Sequence, residues 1–465
     1  MKFGKKEMSA FGLGAIGKDM VYALSASFVM YYYQDILGIS AAFVGFILMI
    51  ARVFDAINDP FMGILVAKTN TKWGRFRPRV LLGTVLNAVV LVWMFNAPHF
   101  EGSALKTFFS IIYILWGVTY TMMDIPYWSM IPAVTDNARD RESMSVVGRT
   151  CAGVGNALIT VGTVIAVAAL GGGNERAGFG RFAWIVAIIF VVAEALLFMT
   201  IKETKSDEKM ETVSIREMFA SLFHNDQAMI TVITIVLINT ALYITSNLII
   251  YFFKYDIGGS GWQGTYTLFS SVGGGSQILG MMLVYPLLRK SFGNTQIFKM
   301  CLISAITGYA LLLAVCLLGL AHSIVILLIP GILVFLSNGI LTVLTTVFLS
   351  ASVDYGEMKT GHREESVIFS MQTFVVKLAS GVAVFLTGIG LTLIGLTGNA
   401  DTEGAVVQQS AGTLMGLRLL MTIIPILGLI AAFFVFKNKF ILTDEKADEI
   451  AAELRAKKEG GLNEA

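Results

Sequence analysis

Charge is scarce in this sequence. Only 14% of its 465 residues are Asp, Glu, Lys or Arg, against roughly 25% in an ordinary soluble domain, and that shortage excludes a fully water-exposed surface. Net charge is small too, +2 at pH 7, which argues against a nucleic-acid partner held by bulk electrostatics. Cys151, Cys301 and Cys316 stand singly in apolar stretches. Without paired spacing they form neither a disulfide framework nor a metal site, and they read as packing residues. His99, His224, His322 and His362 share no ligand spacing. No Walker-type loop occurs, so ATP on this chain cannot supply the energy for any process. Lys2, Lys5 and Lys6 before an apolar stretch imitate a signal peptide. That stretch contains Lys18 and Asp19 and lacks a small-residue cleavage site, so it is retained as a first helix.

Apolar sequence is abundant: 55% of residues are hydrophobic and the mean hydropathy is +0.73. Runs of about 20 apolar residues, each sufficient to cross ~30 Å of hydrocarbon, recur along the chain. They lie near 10–36, 41–66, 79–97, 106–133, 144–172 and 180–201, then near 227–253, 262–288, 296–318, 323–353, 366–396 and 411–436. Basic residues mark the even-numbered connections, with Lys68, Lys72, Arg75, Arg77 and Arg79 in the second, Arg139 and Arg141 in the fourth, Arg289 and Lys290 in the eighth, and Lys359 and Arg363 in the tenth. The odd connections are poorer, so both termini are expected in the cytoplasm of a multi-pass plasma (inner) membrane protein.

The expected fold is an all-α membrane protein of twelve transmembrane helices in two six-helix bundles, the major-facilitator plan, whose sites lie between the halves at mid-membrane. The expected boundaries are 1–201 for the N-terminal bundle, 202–226 for a cytoplasmic central loop, 227–440 for the C-terminal bundle and 441–465 for a cytoplasmic tail. Within the loop, Ser214-Ile215-Arg216-Glu217 is a capping-box pattern. Ile215, Met218, Phe219 and Leu222 then repeat at helical spacing, as in a short helix on the inner membrane surface. The tail reads as a polar, solvated helix, with Glu453 and Lys457 at i, i+4.

Ionisable residues inside apolar spans cost about 2.5–3.5 kcal/mol each at the bilayer centre, so they persist only when paired, hydrated or used. The first half carries most of them: Lys18 and Asp19, then Arg52, Asp55 and Asp59, then Asp124, with Arg149 opening span five. Asp55 and Asp59 are four apart and project from one helix face. Two carboxylates there repel unless a cation separates them or one is protonated. Arg52, a turn earlier, neutralises part of that charge. With the Asn58 amide and the Thr121 hydroxyl they form a hard-oxygen set suited to Na+, with Li+ or H+ also accommodated. A structural Arg52–Asp55 salt bridge is the alternative. In span four, Tyr120, Asp124 and Trp128 recur at i, i+4, i+8, aligning phenol, carboxylate and indole. Sugars are held by such groups, carboxylates accepting from vicinal hydroxyls while an aromatic ring covers the C–H face. Asp19 supplies a second acceptor, with Lys18 and Arg149 as donors to sugar oxygens. Plain aromatic packing around one structural carboxylate explains the stripe equally well. In span eleven Gln372, Thr373 and Lys377 share a face, and Lys377 is expected to neutralise Asp55, Asp59 or Asp124.

Gly12-Leu13-Gly14-Ala15-Ile16-Gly17 matches the dinucleotide fingerprint literally. It follows no strand and lies in an apolar span, so it reads as close helix packing. Gly273 to Gly275 read as a helix contact or a hinge.

The sequence resembles the glycoside–pentoside–hexuronide:cation symporters, and within them the melibiose permeases. The resemblance rests on Gly17-Lys18-Asp19, on Arg52-Val53-Phe54-Asp55-Ala56-Ile57-Asn58-Asp59-Pro60, on Trp73-Gly74-Arg75-Phe76-Arg77-Pro78, on Tyr120-Thr121 through Trp128, and on Arg149. The second half adds Asp354-Tyr355-Gly356-Glu357, Arg363, Glu365-Ser366 and Gln372-Thr373 through Lys377. It implies a cation site of Asp55, Asn58, Asp59 and Thr121, and sugar acceptors Asp19 and Asp124 aided by Lys18, Tyr120, Trp128, Arg149, Gln372 and Thr373. It also implies coupling through Lys377 and a cytoplasmic charge network of Asp354, Glu357 and Arg363. An aromatic of the melibiose permeases is replaced here by Ala26, and another by Thr342. The expectation is therefore Na+-coupled uptake of a glycoside such as an α-galactoside, with no resident cofactor and no nucleic-acid partner. A regulatory protein at the cytoplasmic face is left open. Carriers of a glucuronide, a pentoside or a lysolipid are alternatives within the family, and a polytopic membrane enzyme is the alternative outside it.

Overall fold

The computed structural model describes residues 4–67, 71, 73–74, 76–134, 138–202, 220, 223–259, 261–361, 365–398 and 407–462. Within its helices, the side chains of 56–57, 59–61, 63–67, 132–133, 138–142, 365–366, 369–370, 451 and 455–462 lie outside that description. Residues Ile215, Met218, Phe219 and Leu222 of the expected surface helix also lie outside the described residues.

Among the described residues twelve long helices precede the tail, in chain order. The first six are α1 Lys5–Tyr31, α2 Ala41–Ala67, α3 Arg77–Phe95, α4 Gly102–Val134, α5 Ala138–Gly171 and α6 Glu175–Thr200. The second six are α7 Asp226–Tyr251, α8 Trp262–Leu279, α9 Asn294–Leu317, α10 Ile324–Thr360, α11 Glu365–Leu393 and α12 Ala411–Lys439. They correspond one for one to the apolar runs of the sequence. The 19 residues of α3 rise about 28 Å at ~1.5 Å each, enough for the hydrocarbon layer. Among the described residues ten helices, α3 through α12, are long and apolar enough to cross a membrane. α1 and α2 have 27 residues each, so they have the length. The only extended pairing among the described residues is the isolated Thr71–Gly74 bridge.

The chain forms two compact units, one of Met1–Thr212 with Gly388–Gln409, the other of Val213–Thr387 with Ser410–Ala465. In the first, α1 packs on α5 and α6, α3 on α4 and α6, and α2 on α4. In the second, α9 packs on α10, α7 on α12, and α8 on α10. The glycines of α1 explain the closeness of its packing. A Cβ on Gly17 would stand 3.1 Å from both Ala193 Cβ and Phe190 Cα of α6, and one on Gly12 would stand 2.8 Å from Cys151 Sγ of α5. The literal dinucleotide fingerprint is therefore a helix-packing face. Gly273 likewise meets Phe335 across the α8–α10 contact.

Each unit opens with the same device, which the sequence reading passed over. α1 ends in the π-helical turn Tyr32–Ile36, and α7 ends in the π-helical turn Phe252–Ile257. Tyr-Tyr-Tyr-Gln-Asp-Ile at 31–36 and Tyr-Phe-Phe-Lys-Tyr-Asp-Ile at 251–257 are the matching strings, visible as an internal repeat once aligned. In the first, Tyr32 and Tyr33 are fully buried and their hydroxyls donate to Phe95 O and Met94 O, at 2.9 and 2.7 Å, at the end of α3.

The tail forms a helix, α13, over Asp444–Leu462, yet it is more than a solvated extension. Asp444 Oδ2 accepts from the Asn294 backbone N–H at 2.7 Å, and Oδ1 accepts from Arg289 Nη2 at 3.0 Å. A carboxylate at the N-terminus of α9 meets unpaired amides and the positive end of the helix dipole. Leu442 and Ile450 are buried beside it, so the first turns of α13 are docked.

Candidate functional site

Lys18 leaves α1 one turn after Gly14, and its ammonium reaches α4. It is buried, 2% exposed. Its Nζ donates to Asp124 Oδ1 at 2.7 Å and lies 2.9 Å from Asp19 Oδ2, the latter an ion pair without hydrogen-bond alignment. The Tyr120 hydroxyl accepts from it at 3.5 Å, and the Trp128 ring centroid is 4.9 Å away. Asp124 Oδ1 also accepts from Trp128 Nε1 at 3.1 Å. Two carboxylates and an aromatic wall thus offset the cost of an ammonium inside the membrane. The Asp124 side chain keeps 29% of its surface exposed and Asp19 19%, so both carboxylates remain open to a ligand. Arg149 is exposed, its guanidinium 4.2 Å above the Trp128 ring.

Spacing on α4 builds this face. Tyr120, Asp124 and Trp128 are successive turns apart, and the stripe continues backwards into Trp116, which stacks on Tyr120 at 5.3 Å and 20°. The structure brings Lys18, Asp19, Tyr120, Asp124, Trp128 and Arg149 into one cluster. Lys18, expected as a donor to sugar oxygens, is engaged here by the two carboxylates.

A turn-by-turn reading of α2 gives the second group. Arg52 Nη1 lies 3.7 Å from Asp55 Oδ2, both residues buried, and the guanidinium sits 5.4 Å from the Tyr22 ring centroid. The Arg52–Asp55 ion pair, the alternative to the cation-site reading, is therefore present, at a separation too long for a hydrogen bond between these two atoms. Asp55 Oδ1 lies against the backbone of α4: a Cβ on Gly117 would stand only 2.5 Å from it. Thr121, one turn further along α4, is buried. Asn58 is half-buried, and its Nδ2 has no hydrogen-bond partner among the described residues. Asp59 lies in α2 with its side chain outside the described residues.

The sequence matches the family model described as "MFS/sugar transport protein" over residues 10–439. The chain belongs to the MFS/sugar transport family. It is similar to the uncharacterized symporter YjmB of Bacillus subtilis (strain 168), 28% identical over 97% of this chain and 95% of that one. It is equally similar to the isoprimeverose transporter of Lactiplantibacillus pentosus, 28% identical over 91% and 86%. It is 27% identical to the raffinose carrier protein of Pediococcus pentosaceus, over 96% and 70%. The crystal structure of the nucleoside transporter NupG superposes with a TM-score of 0.63 at 16% identity, covering 94% of this chain and 100% of that one. The fold is therefore the all-helical major-facilitator fold, consistent with twelve spans, and the chain is a multi-pass membrane sugar transporter and not an enzyme.

In this sugar transporter Gln372, Thr373 and Lys377 stand on α11 within the second unit. Gln372 and Lys377 are half-buried, Thr373 is exposed, and Ser380 Oγ donates to Lys377 O at 2.7 Å. Asp354 and Glu357 are half-buried near the end of α10, and Arg363 lies outside the described residues. Sequence reasoning missed the partners there. Asp226, in the first turn of α7, accepts from Lys359 Nζ at 2.9 Å and from the Tyr355 hydroxyl at 3.2 Å, both through Oδ1. The signal was present, since Tyr355 and Lys359 are four apart on α10 and share a face.

Sequence reasoning also missed Glu194. It is fully buried in the middle of the apolar run of α6, where a lone acid is as conspicuous as Asp124 in α4.

Proposed function

We propose that the chain is a symporter that couples a monovalent cation, Na+ in the first instance and Li+ or H+ as variants, to the uptake of a glycoside such as the α-galactoside melibiose. The observation that carries this reading is Asp124, whose one oxygen takes both the Lys18 ammonium and the Trp128 indole N–H while the carboxylate stays partly open. A hexose fits such a group with two vicinal hydroxyls donating to Asp124 and a further hydroxyl to Asp19, with Trp128 against its C–H face. Tyr120 and Arg149 flank that position, and Gln372 and Thr373 are assigned as further hydroxyl partners. The raffinose carrier among the relatives supports the galactoside choice, since raffinose carries an α-galactosyl group.

The cation site is assigned to Asp55, Asn58, Asp59 and Thr121, with Arg52 balancing Asp55 and Lys377 linking the two sites. Carboxylate, amide and hydroxyl oxygens are hard ligands that suit Na+. Asp354, Glu357 and Arg363 are assigned to closing the cytoplasmic face, and both termini are placed in the cytoplasm of the plasma membrane. One observation favours a second reading: Arg149 is exposed and stacked on Trp128, available to a substrate carboxylate, as in a glucuronide. Lys18, already held by two carboxylates, is not.

Two experiments bear on these assignments. Proteoliposomes driven by an inward Na+ gradient should accumulate melibiose above lactose, a glucuronide and a xyloside. Preference for the glucuronide would transfer the assignment to the second reading, and no gradient-driven accumulation of any of the four would overturn both. In Gly117→Ala the new methyl collides with Asp55 Oδ1 and forces that carboxylate off its rotamer, at about 0.5–1.5 kcal/mol. At ~1.4 kcal/mol per decade, Na+ affinity should fall about 2- to 12-fold, while sodium-free sugar affinity is unchanged. A drop in sugar affinity without one in Na+ affinity would dissociate Asp55 from the cation.

A further inference from the structure

The symport scheme leaves Glu194 unused, although it is the most deeply enclosed acid near the sugar cluster. It is 0% exposed, and neither of its carboxylate oxygens has a hydrogen-bond partner among the described residues. A Cβ on Gly14 of α1 would lie 3.3 Å from Glu194 Oε1 and 3.1 Å from Tyr127 Cε2, so the carboxyl meets α1 at Gly14 beside the carbon edge of the Tyr127 ring. The nearby phenol does not serve it, because the Tyr127 hydroxyl donates to Phe11 O. Lys18 follows Gly14 by one turn on the same face of α1, with its Nζ 5.4 Å from the Tyr127 ring centroid.

Several charged or titratable groups face this carboxyl. Lys18 and Asp124 act on it electrostatically, and it acts in turn on Tyr120 and Tyr127. Asp19 completes the Lys18 cluster. From α3, Arg77 donates to Phe198 O, one turn further along α6. From α5, Cys151 lies against Gly12. The Lys18 ammonium is thus taken by Asp124 and Asp19, and neither oxygen of Glu194 receives a hydrogen bond from it. With Arg149, which stands over Trp128 in the same cluster, the five charged groups sum to one negative charge when Glu194 is ionised and to zero when it is protonated. An ionised carboxylate without donors in a buried site carries a large desolvation penalty, and such a group takes up a proton instead. The same count states when the proton should leave. Removing the charge of Asp124 would leave the cluster with one positive charge, so ionising Glu194 would restore the neutrality of the resting cluster.

We infer that Glu194 is a proton-binding site linked to the Lys18 cluster, holding its proton while Lys18 is shared by Asp124 and Asp19 and releasing it to solvent when Asp124 is withdrawn from Lys18. Withdrawal by sugar hydroxyls rests on the sugar site proposed above; withdrawal by substitution does not. The test is infrared difference spectroscopy of the full-length protein in nanodiscs at pH 7, following the C=O stretch of protonated carboxylic acid. Wild type should show a band that Glu194→Gln lacks, with Glu194→Met as the replacement if the Gln variant does not fold. Asp124→Asn should reduce that band by about half or more. Melibiose added at saturating Na+ in weak buffer should release up to one proton per chain from wild type and none from Glu194→Gln. Identical bands in wild type and Glu194→Gln, or an undiminished band in Asp124→Asn, would overturn the inference. Absence of melibiose binding would count against the sugar assignment, and the Asp124→Asn spectrum would still decide the protonation of Glu194.

Discussion

Asp124→Asn is expected to lower sugar affinity by two to three orders of magnitude, the largest effect of any single substitution in this protein. The carboxylate is assigned two hydroxyl donors from the sugar, and hydrogen bonds to a charged group contribute about 1.5–3 kcal/mol each. Losing the charge removes much of both, about 3–4 kcal/mol, at ~1.4 kcal/mol per decade. The isosteric amide keeps the volume, so the loss reports charge and acceptor capacity, not packing. It also redirects Lys18, whose 2.7 Å bond to Asp124 Oδ1 is its shortest contact, entirely onto Asp19. Asp19→Asn should cost less, because Asp19 meets Lys18 without hydrogen-bond alignment. Equilibrium titration of purified protein in nanodiscs with melibiose checks both. Equal losses at the two positions would mean that Asp124 has no special place in the sugar site.

The second large effect is expected at Asp55. In Asp55→Asn the Na+-induced gain in sugar affinity should vanish, falling from the roughly 5- to 150-fold typical of a coupled pair of sites to about one. Sodium-free sugar binding should persist, because the Lys18 ammonium is held by Asp124 and Asp19, whereas Asp55 is paired with Arg52 and lies against Gly117. The substitution also strips Arg52 of its buried counter-charge, which costs stability, so thermal unfolding should be followed alongside. Loss of sugar binding and of the sodium effect in equal measure, with the fold intact, would mean that the two ligands share one site.

The apolar runs revealed α1–α12 because a span must be long and mostly apolar, a pattern that a single sequence carries even where charges interrupt it, as in α1 and α2. The same contrast exposed Lys18, Asp19, Asp55 and Asp124, each a charge where lipid-facing chemistry has no use for one. The i, i+4, i+8 stripe on α4 places Tyr120, Asp124 and Trp128 on one face by spacing alone. Partner choice is less legible. Spacing suggests Lys18 as a donor to sugar, yet it turns to Asp124, since a long side chain goes where the close approach of α1 to its neighbours allows, and that approach depends on Gly12, Gly14 and Gly17 meeting particular atoms of α5 and α6. Gly117 gives no signal in the sequence, because its importance lies in the absent side chain opposite Asp55. Asp444, 150 residues from Asn294, looks like any acid of a solvated helix. Its docking is a tertiary fact that no local pattern encodes.

Coupling between the two groups of acids on α1, α2 and α4 is the claim from which the transport proposal follows. Calorimetric titration of the wild-type protein tests it directly: melibiose affinity with and without saturating Na+, then Na+ affinity with and without saturating melibiose. Linked sites require the same factor in both directions, and the account predicts one above about 5. Melibiose affinity that stays constant across Na+, Li+ and pH would contradict it.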